Sequence, residues 1–137
     1  MGVDDVLLTR ECDYAVRLVR ALADSKKKTV QAICEQEHIP TQYAYKILKK
    51  LENAGLVKSR RGPDGGYYLH KPPSSVTLLD IVTSIDSNLL LNECLKANKE
   101  CSRNTEDLPC SVHKELTRIQ SVLVDELGRH NMEDLLG

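Results

Sequence analysis

Residues 41–71, TQYAYKILKKLENAGLVKSRRGPDGGYYLHK, constrain the fold of this chain more than any other stretch. Tyr43, Ala44, Ile47, Leu48 and Leu51 recur at helical spacing and form one apolar face, while Gln42, Tyr45, Lys46, Lys49 and Lys50 fall on or beside the other. Such a helix packs by one face and leaves the other free to meet an anion. Gly55 follows the last apolar turn, where a residue without Cβ closes a helix at least cost, so the helix is predicted to stop near Ala54. Two short runs of strand character come next, Leu56 to Arg60 and Tyr67 to His70, around the turn-rich segment 61–66.

A helix followed by a basic hairpin is the DNA-gripping part of a winged helix. On this reading Gln42, Tyr45, Lys46 and Lys49 face the major groove, with Thr41 beside them at the helix start. Arg60 and Arg61 reach phosphate oxygens or a narrow minor groove. Gly62, Pro63, Gly65 and Gly66 shape the hairpin tip, and the glycines let its backbone approach a phosphate or sugar. The plain alternative is a solvated basic hairpin with no ligand.

The charge distribution agrees with a local nucleic-acid face. Net charge is −1, but residues 1–40 carry 6 Lys+Arg and 7 Asp+Glu, residues 41–85 carry 7 and 3, and residues 86–137 carry 6 and 10. The thirds therefore stand at −1, +4 and −4, and only the middle one suits a polyanion. At 137 residues the chain is long enough for one core and too short for a large pocket between lobes. With no Phe or Trp, that core must be aliphatic. No apolar run reaches the ~18 residues of a membrane span and the start lacks the regions of a signal peptide, so no membrane partner and a cytoplasmic location are expected.

Upstream, Asp13 to Ala23 reads as a first helix and Thr29 to Glu37 as a second, with Thr29 as its cap and Cys34 turned inward. His38-Ile39-Pro40 turns the chain into the organising helix, which completes a helix-turn-helix. The run Lys26-Lys27-Lys28 between the first two helices reads as a solvated turn before a DNA-flanking contact. Downstream, Pro72-Pro73 marks an extended connector and Thr77 to Asp86 a fourth helix capped by Ser75 or Thr77. The expected fold class is mainly α with a small β wing. Residues 1–86 form the winged helix-turn-helix domain, 87–110 a cysteine-bearing loop, and 111–137 a long helix with a C-terminal tail.

That last helix carries Val112, Leu116, Ile119, Val122, Leu123 and Leu127 and should stop at Gly128. Seventeen residues would span about 25 Å, long for so small a chain unless a second copy pairs with it. A two-fold dimer would set two reading helices on successive major grooves.

Five cysteines in a reducing compartment argue for metal or thiol chemistry before disulfides. Three of them, Cys94, Cys101 and Cys110, bracket a long polar loop, and His113 stands three residues beyond the last. If Pro109 and Cys110 open the final helix, Cys110 and His113 share one face and both can turn toward one centre. Three thiolates and an imidazole suit an iron-sulfur cluster or a tetrahedral zinc, and a metal-free thiol switch stays open beside them. Cys110 with His113 as nucleophile and base is a further option, but no pocket motif accompanies the pair.

Leu8-Thr9, Asp13-Tyr14-Ala15-Val16-Arg17, Ile39-Pro40, Lys46-Ile47-Leu48, Ala54-Gly55-Leu56-Val57 and above all Arg61-Gly62-Pro63-Asp64-Gly65-Gly66-Tyr67 together resemble the Rrf-two family of bacterial winged-helix regulators, with its IscR, NsrR and CymR types. Leu78-Leu79-Asp80-Ile81, the three-cysteine loop and the long last helix follow in the family's order. The resemblance implies a homodimeric transcription factor on a partly palindromic DNA operator. It also implies an iron-sulfur cluster, 2Fe-2S or 4Fe-4S, on Cys94, Cys101 and Cys110. The fourth ligand would be His113, as in the IscR type, or Asp13 reached from the other subunit, as in the NsrR type. A CymR-like member would instead be switched without metal, by a protein partner or thiol oxidation.

Overall fold

The structure is a computed structural model and describes residues 6–87 and 89–137. The organising helix, α3 (Thr41–Asn53), ends where its sequence predicts, with Ala54 as cap and Gly55 at φ 79°. Ala44, Ile47, Leu48 and Leu51 are buried along one face. Tyr43 does not join them. It stays 39% exposed on the rim and lies against the Tyr14 ring, centroids 5.8 Å apart, because a phenol tolerates the edge of an aliphatic core.

Around α3 pack α1 (Arg10–Leu22), α2 (Val30–Glu37) and α4 (Leu78–Ile85). Each starts on a threonine whose hydroxyl takes up an orphan N–H: Thr9 from Cys12 at 3.3 Å, Thr29 from Ala32 at 3.1 Å, Thr77 from Asp80 at 3.2 Å. The Asp80 carboxylate returns a bond to the Thr77 N–H at 3.0 Å and closes a capping box. The cap at Thr9 starts α1 three residues ahead of the predicted Asp13, since the apolar periodicity begins only after the first turn. Leu18, Leu22, Ile33, Ile47, Leu48 and Ile81 fill the space between these helices without solvent exposure. Each such side chain contributes roughly 1.5–3 kcal/mol by burial, and the entropy of ordering the chain offsets most of the sum.

The wing is an antiparallel pair, β1 (Val57–Arg60) and β2 (Gly66–Leu69), with Val57 opposite Leu69 and Arg60 opposite Gly66. A contact that sequence reasoning missed lies along its edge. Lys28 pairs with Tyr67 through both backbone groups, N–H to O at 2.9 Å and the return at 2.8 Å. This approach accounts for Gly66: a Cβ there would stand 2.5 Å from the Lys28 carbonyl oxygen. At Gly65 it would stand 2.6 Å from the Arg60 carbonyl oxygen, so Gly65 serves the hairpin turn itself and Gly66 the close approach of Lys28.

The double proline introduces a short 3-10 turn, Pro73–Ser75, in place of a fully extended connector. The long helix, α5 (Ser111–Leu127), stops at Gly128 as expected, and none of its residues is buried. Sequence reading assigned no helix after it, yet α6 (Met132–Leu136) forms, capped by Asn131. Met132 is 2% exposed and its N–H bonds the Val76 carbonyl at 2.7 Å, which anchors the C-terminal segment against the core. Five residues are too few for a readable helical period, and the single anchoring methionine gave no pattern.

Candidate functional site

Two sites emerge. On the first, α3 presents Thr41, Gln42, Tyr45, Lys46 and Lys49 to solvent, with Tyr45 56% exposed. Arg60, Arg61, Gly62 and Pro63 are exposed on the wing, while Gly65 and Gly66 are half-buried. Neither arginine has a side-chain partner among the described residues. The lysines differ: Lys49 is loosely paired with Glu52 at 3.7 Å, whereas Lys46 is held by Glu11 at 2.9 Å. The same carboxylate holds Lys50 at 2.8 Å.

Glu11 was not foreseen as part of this face, because 35 residues separate it from Lys46 and only the docking of α1 on α3 joins them. The bonds from Lys50 and Lys46 hold its carboxyl below the ordinary value of 4.5. A carboxylate depressed in the folded state stabilises the fold fully above that ordinary value, and the contribution fades as pH falls through the lowered one. Glu11→Gln is therefore expected to melt lower than the wild type near neutral pH, with the gap closing as pH is taken from about 7 to 3. A gap that persists in acid would show that the carboxylate charge is not what joins the helices.

The second site is the cysteine loop. Cys110 is the N-cap of α5, its Sγ accepting the His113 N–H at 3.4 Å. Cys94 sits on a short 3-10 turn, Glu93–Leu95, where the Asn92 side-chain amide donates to its Sγ at 3.5 Å. Asn104, a residue sequence reading passed over, organises the rest. Its N–H bonds the Cys101 carbonyl at 3.0 Å and its Oδ1 accepts from the Cys110 N–H at 2.9 Å. An Asn between two cysteines in a loop without periodicity was the available signal, since its short amide readily bonds nearby backbone. Gln120 on α5 fastens the start of the loop, accepting from the Leu91 N–H at 2.9 Å and donating to the Leu89 carbonyl at 2.7 Å.

Cys94, Cys101, Cys110 and His113 all line one cavity of about 180 Å³. His113 Nδ1 is buried without a hydrogen-bond partner, so the imidazole has one ligand-capable atom left over. The N-terminus of α5 faces the same place and favours negative charge. The donor types fit a thiolate-bound metal centre. Among the described residues, however, no three His, Cys, Asp or Glu are gathered closely enough to hold one metal ion. Asp13 lies outside the cavity lining and pairs with Arg17 at 3.2 Å on its own helix.

A helix-turn-helix with a basic wing, followed by a long helix with no buried residue, defines a winged-helix DNA-binding regulator. The profile of Rrf2, described as an iron-dependent transcriptional regulator, matches residues 8–137, and the chain belongs to that family. It is a family of transcriptional regulators and not of enzymes. A helix-turn-helix-type transcriptional regulator of Haemophilus influenzae is 33% identical over 120 residues, covering 85% of this chain and 79% of that protein. In fold, the chain matches IscR of T. potens with a TM-score of 0.72 at 24% identity, over 98% of this chain and 89% of that one. It matches CymR, the global cysteine regulator of B. subtilis, equally well: TM-score 0.72 at 24% identity, over 93% and 94%. No helix among the described residues is long and apolar enough to cross a membrane.

Proposed function

We propose that this Rrf2-family regulator binds a double-stranded operator as a homodimer and holds an iron-sulfur cluster through Cys94, Cys101, Cys110 and His113. The observation that carries the reading is that three thiols and an imidazole, whose Nδ1 is buried without a partner, line one cavity. The family's iron-dependent description supports it. An iron-sulfur cluster is preferred to zinc on the family's iron-dependent description together with the three thiols in the lining, since soft thiolates suit either centre. When bound, the cluster supplies a group that is gained, lost or oxidised reversibly. His113 serves as fourth ligand by local geometry, and Asp13 of a second copy is the alternative.

On the DNA side, Gln42, Tyr45, Lys46 and Lys49 read or flank the major groove, with Thr41 at its edge. Arg61 and the open tip at Gly62 and Pro63 take the backbone or minor groove. Gln120 ties the loop to the middle of α5, so a change in the loop's order is felt along the helix that sets the spacing of the two reading heads.

A metal-free switch of the CymR type, worked by thiol oxidation or a protein partner, is the second reading. What favours it is that the four side chains border the cavity without closing on a common point. Anaerobic purification with iron, acid-labile sulfide and zinc analysis separates the readings. Bound iron and sulfide are expected. Colourless protein that takes up neither on reconstitution points to the metal-free switch, and stoichiometric zinc to a structural site.

A further inference from the structure

The loop between α1 and α2 does more than turn the chain. Because the Lys28 backbone is paired with Tyr67, the preceding residues are laid against the wing. The Lys28 ammonium is spent internally, on Asp24 at 3.0 Å and the Ala21 carbonyl at 2.5 Å. Lys27 goes elsewhere. It is half-buried and has no acidic partner among the described residues. With Arg60, Ser25, Ser59 and Tyr68 it lines an open cleft of about 450 Å³ beside the wing. The lining thus offers an ammonium, a guanidinium and three hydroxyls, with no carboxylate to neutralise them.

That donor set has the chemistry of a phosphate site: cationic donors for the charged oxygens and neutral hydroxyls for the remainder. We propose that the cleft formed by Ser25, Lys27, Ser59, Arg60 and Tyr68 seats a phosphate of the DNA backbone flanking the segment met by α3. A phosphodiester suits it better than a free anion because Arg60 is followed directly by Arg61 at the wing tip. A strand engaged at the tip can therefore run on past Arg60 to Lys27. The inference rests on the DNA-interface reading above and adds a contact from a segment outside the helix-turn-helix and the wing.

The test is operator binding by the full chain at several salt concentrations, with Lys27→Ala, Tyr68→Phe and, as a reference for the wing, Arg61→Ala. Lys27→Ala is expected to weaken binding roughly tenfold and to lower the slope of log affinity against log salt by about one per site. The ranking of operator sequences should stay the same, since phosphates carry no base identity. Tyr68→Phe should lose less, in the same direction. Melting temperatures equal to the wild type show that the folds are intact.

If Arg61→Ala weakens binding while Lys27→Ala leaves both affinity and slope untouched, the cleft is not a DNA site and the interface reading survives. If neither substitution has any effect, the interface reading itself fails and takes this one with it. A parallel titration with inorganic phosphate distinguishes the source of the anion. Saturable phosphate binding that Lys27→Ala abolishes, with operator binding unchanged, would assign the cleft to a free anion and overturn the DNA assignment.

Discussion

Cys110→Ser is expected to remove essentially all bound iron and sulfide while leaving the helix content of the protein unchanged. The prediction turns on the two roles of this side chain. Its sulfur caps α5 by accepting the His113 N–H at 3.4 Å, and it also borders the cavity shared with Cys94, Cys101 and His113. Serine is a preferred N-cap, so the hydroxyl keeps the first role. It lacks a soft thiolate, so it loses the second. Cys110→Ala loses both, and its missing cap should cost about 0.5–2 kcal/mol in stability besides. Comparing the two by anaerobic metal analysis, visible absorbance and circular dichroism separates a lost ligand from a damaged helix. Cys34→Ala serves as a control that should keep its iron: Cys34 is buried on α2, where desolvation pushes its thiol pKa up, and it lies outside the cavity. Wild-type iron in Cys110→Ser would remove this residue from the ligand set.

How much of this was readable in the sequence depended on whether the information was local. The end of α3, the wing hairpin, the threonine at the start of α2 and the stop of α5 at Gly128 all rest on residues within one or two turns of each other. The candidate site residues could be named for the same reason, as the hairpin tip and the cysteine spacing are continuous stretches, and the fold leaves Arg60 and Arg61 exposed and sets the three cysteines of the loop around one cavity. What escaped was set by pairs distant in sequence. Glu11 reaches Lys46 only through the docking of α1, Lys28 meets Tyr67 only once the wing has folded back, and Met132 returns to Val76 across most of the second half of the chain. Gly66 shows the consequence. In sequence it reads as room for a phosphate, whereas in the fold the nearest body is the Lys28 carbonyl.

The second large effect concerns α5. Replacing Ile119 and Val122 together by aspartate is expected to yield a monomer and to weaken operator binding by at least about a hundredfold. The helix has no buried residue along 17 positions, although Val112, Ile119 and Val122 are 65%, 38% and 47% exposed. These three recur at the spacing of one helical stripe, and packing within the chain leaves that stripe uncovered. In the homodimer proposed above, a second copy of the same stripe, related by a two-fold axis, would cover it with a surface of matching chemistry. Aspartates at the centre of such a seam would each have to be desolvated beside a like charge, which a marginal helix pair cannot offset.

The loss on DNA follows from linkage of the two reading heads. Once one head is bound, the second meets its half-site at an effective concentration fixed by the dimer, and a monomer forgoes that gain without losing any contact of its own. The variant should therefore bind a single half-site as well as a wild-type protomer does, and fail only on the full operator. Sedimentation or light scattering gives the mass, circular dichroism checks that α5 still forms, and the two duplexes give the affinities. A double aspartate variant that stays dimeric and binds the full operator at wild-type strength would show that the outward face of α5 is not the seam.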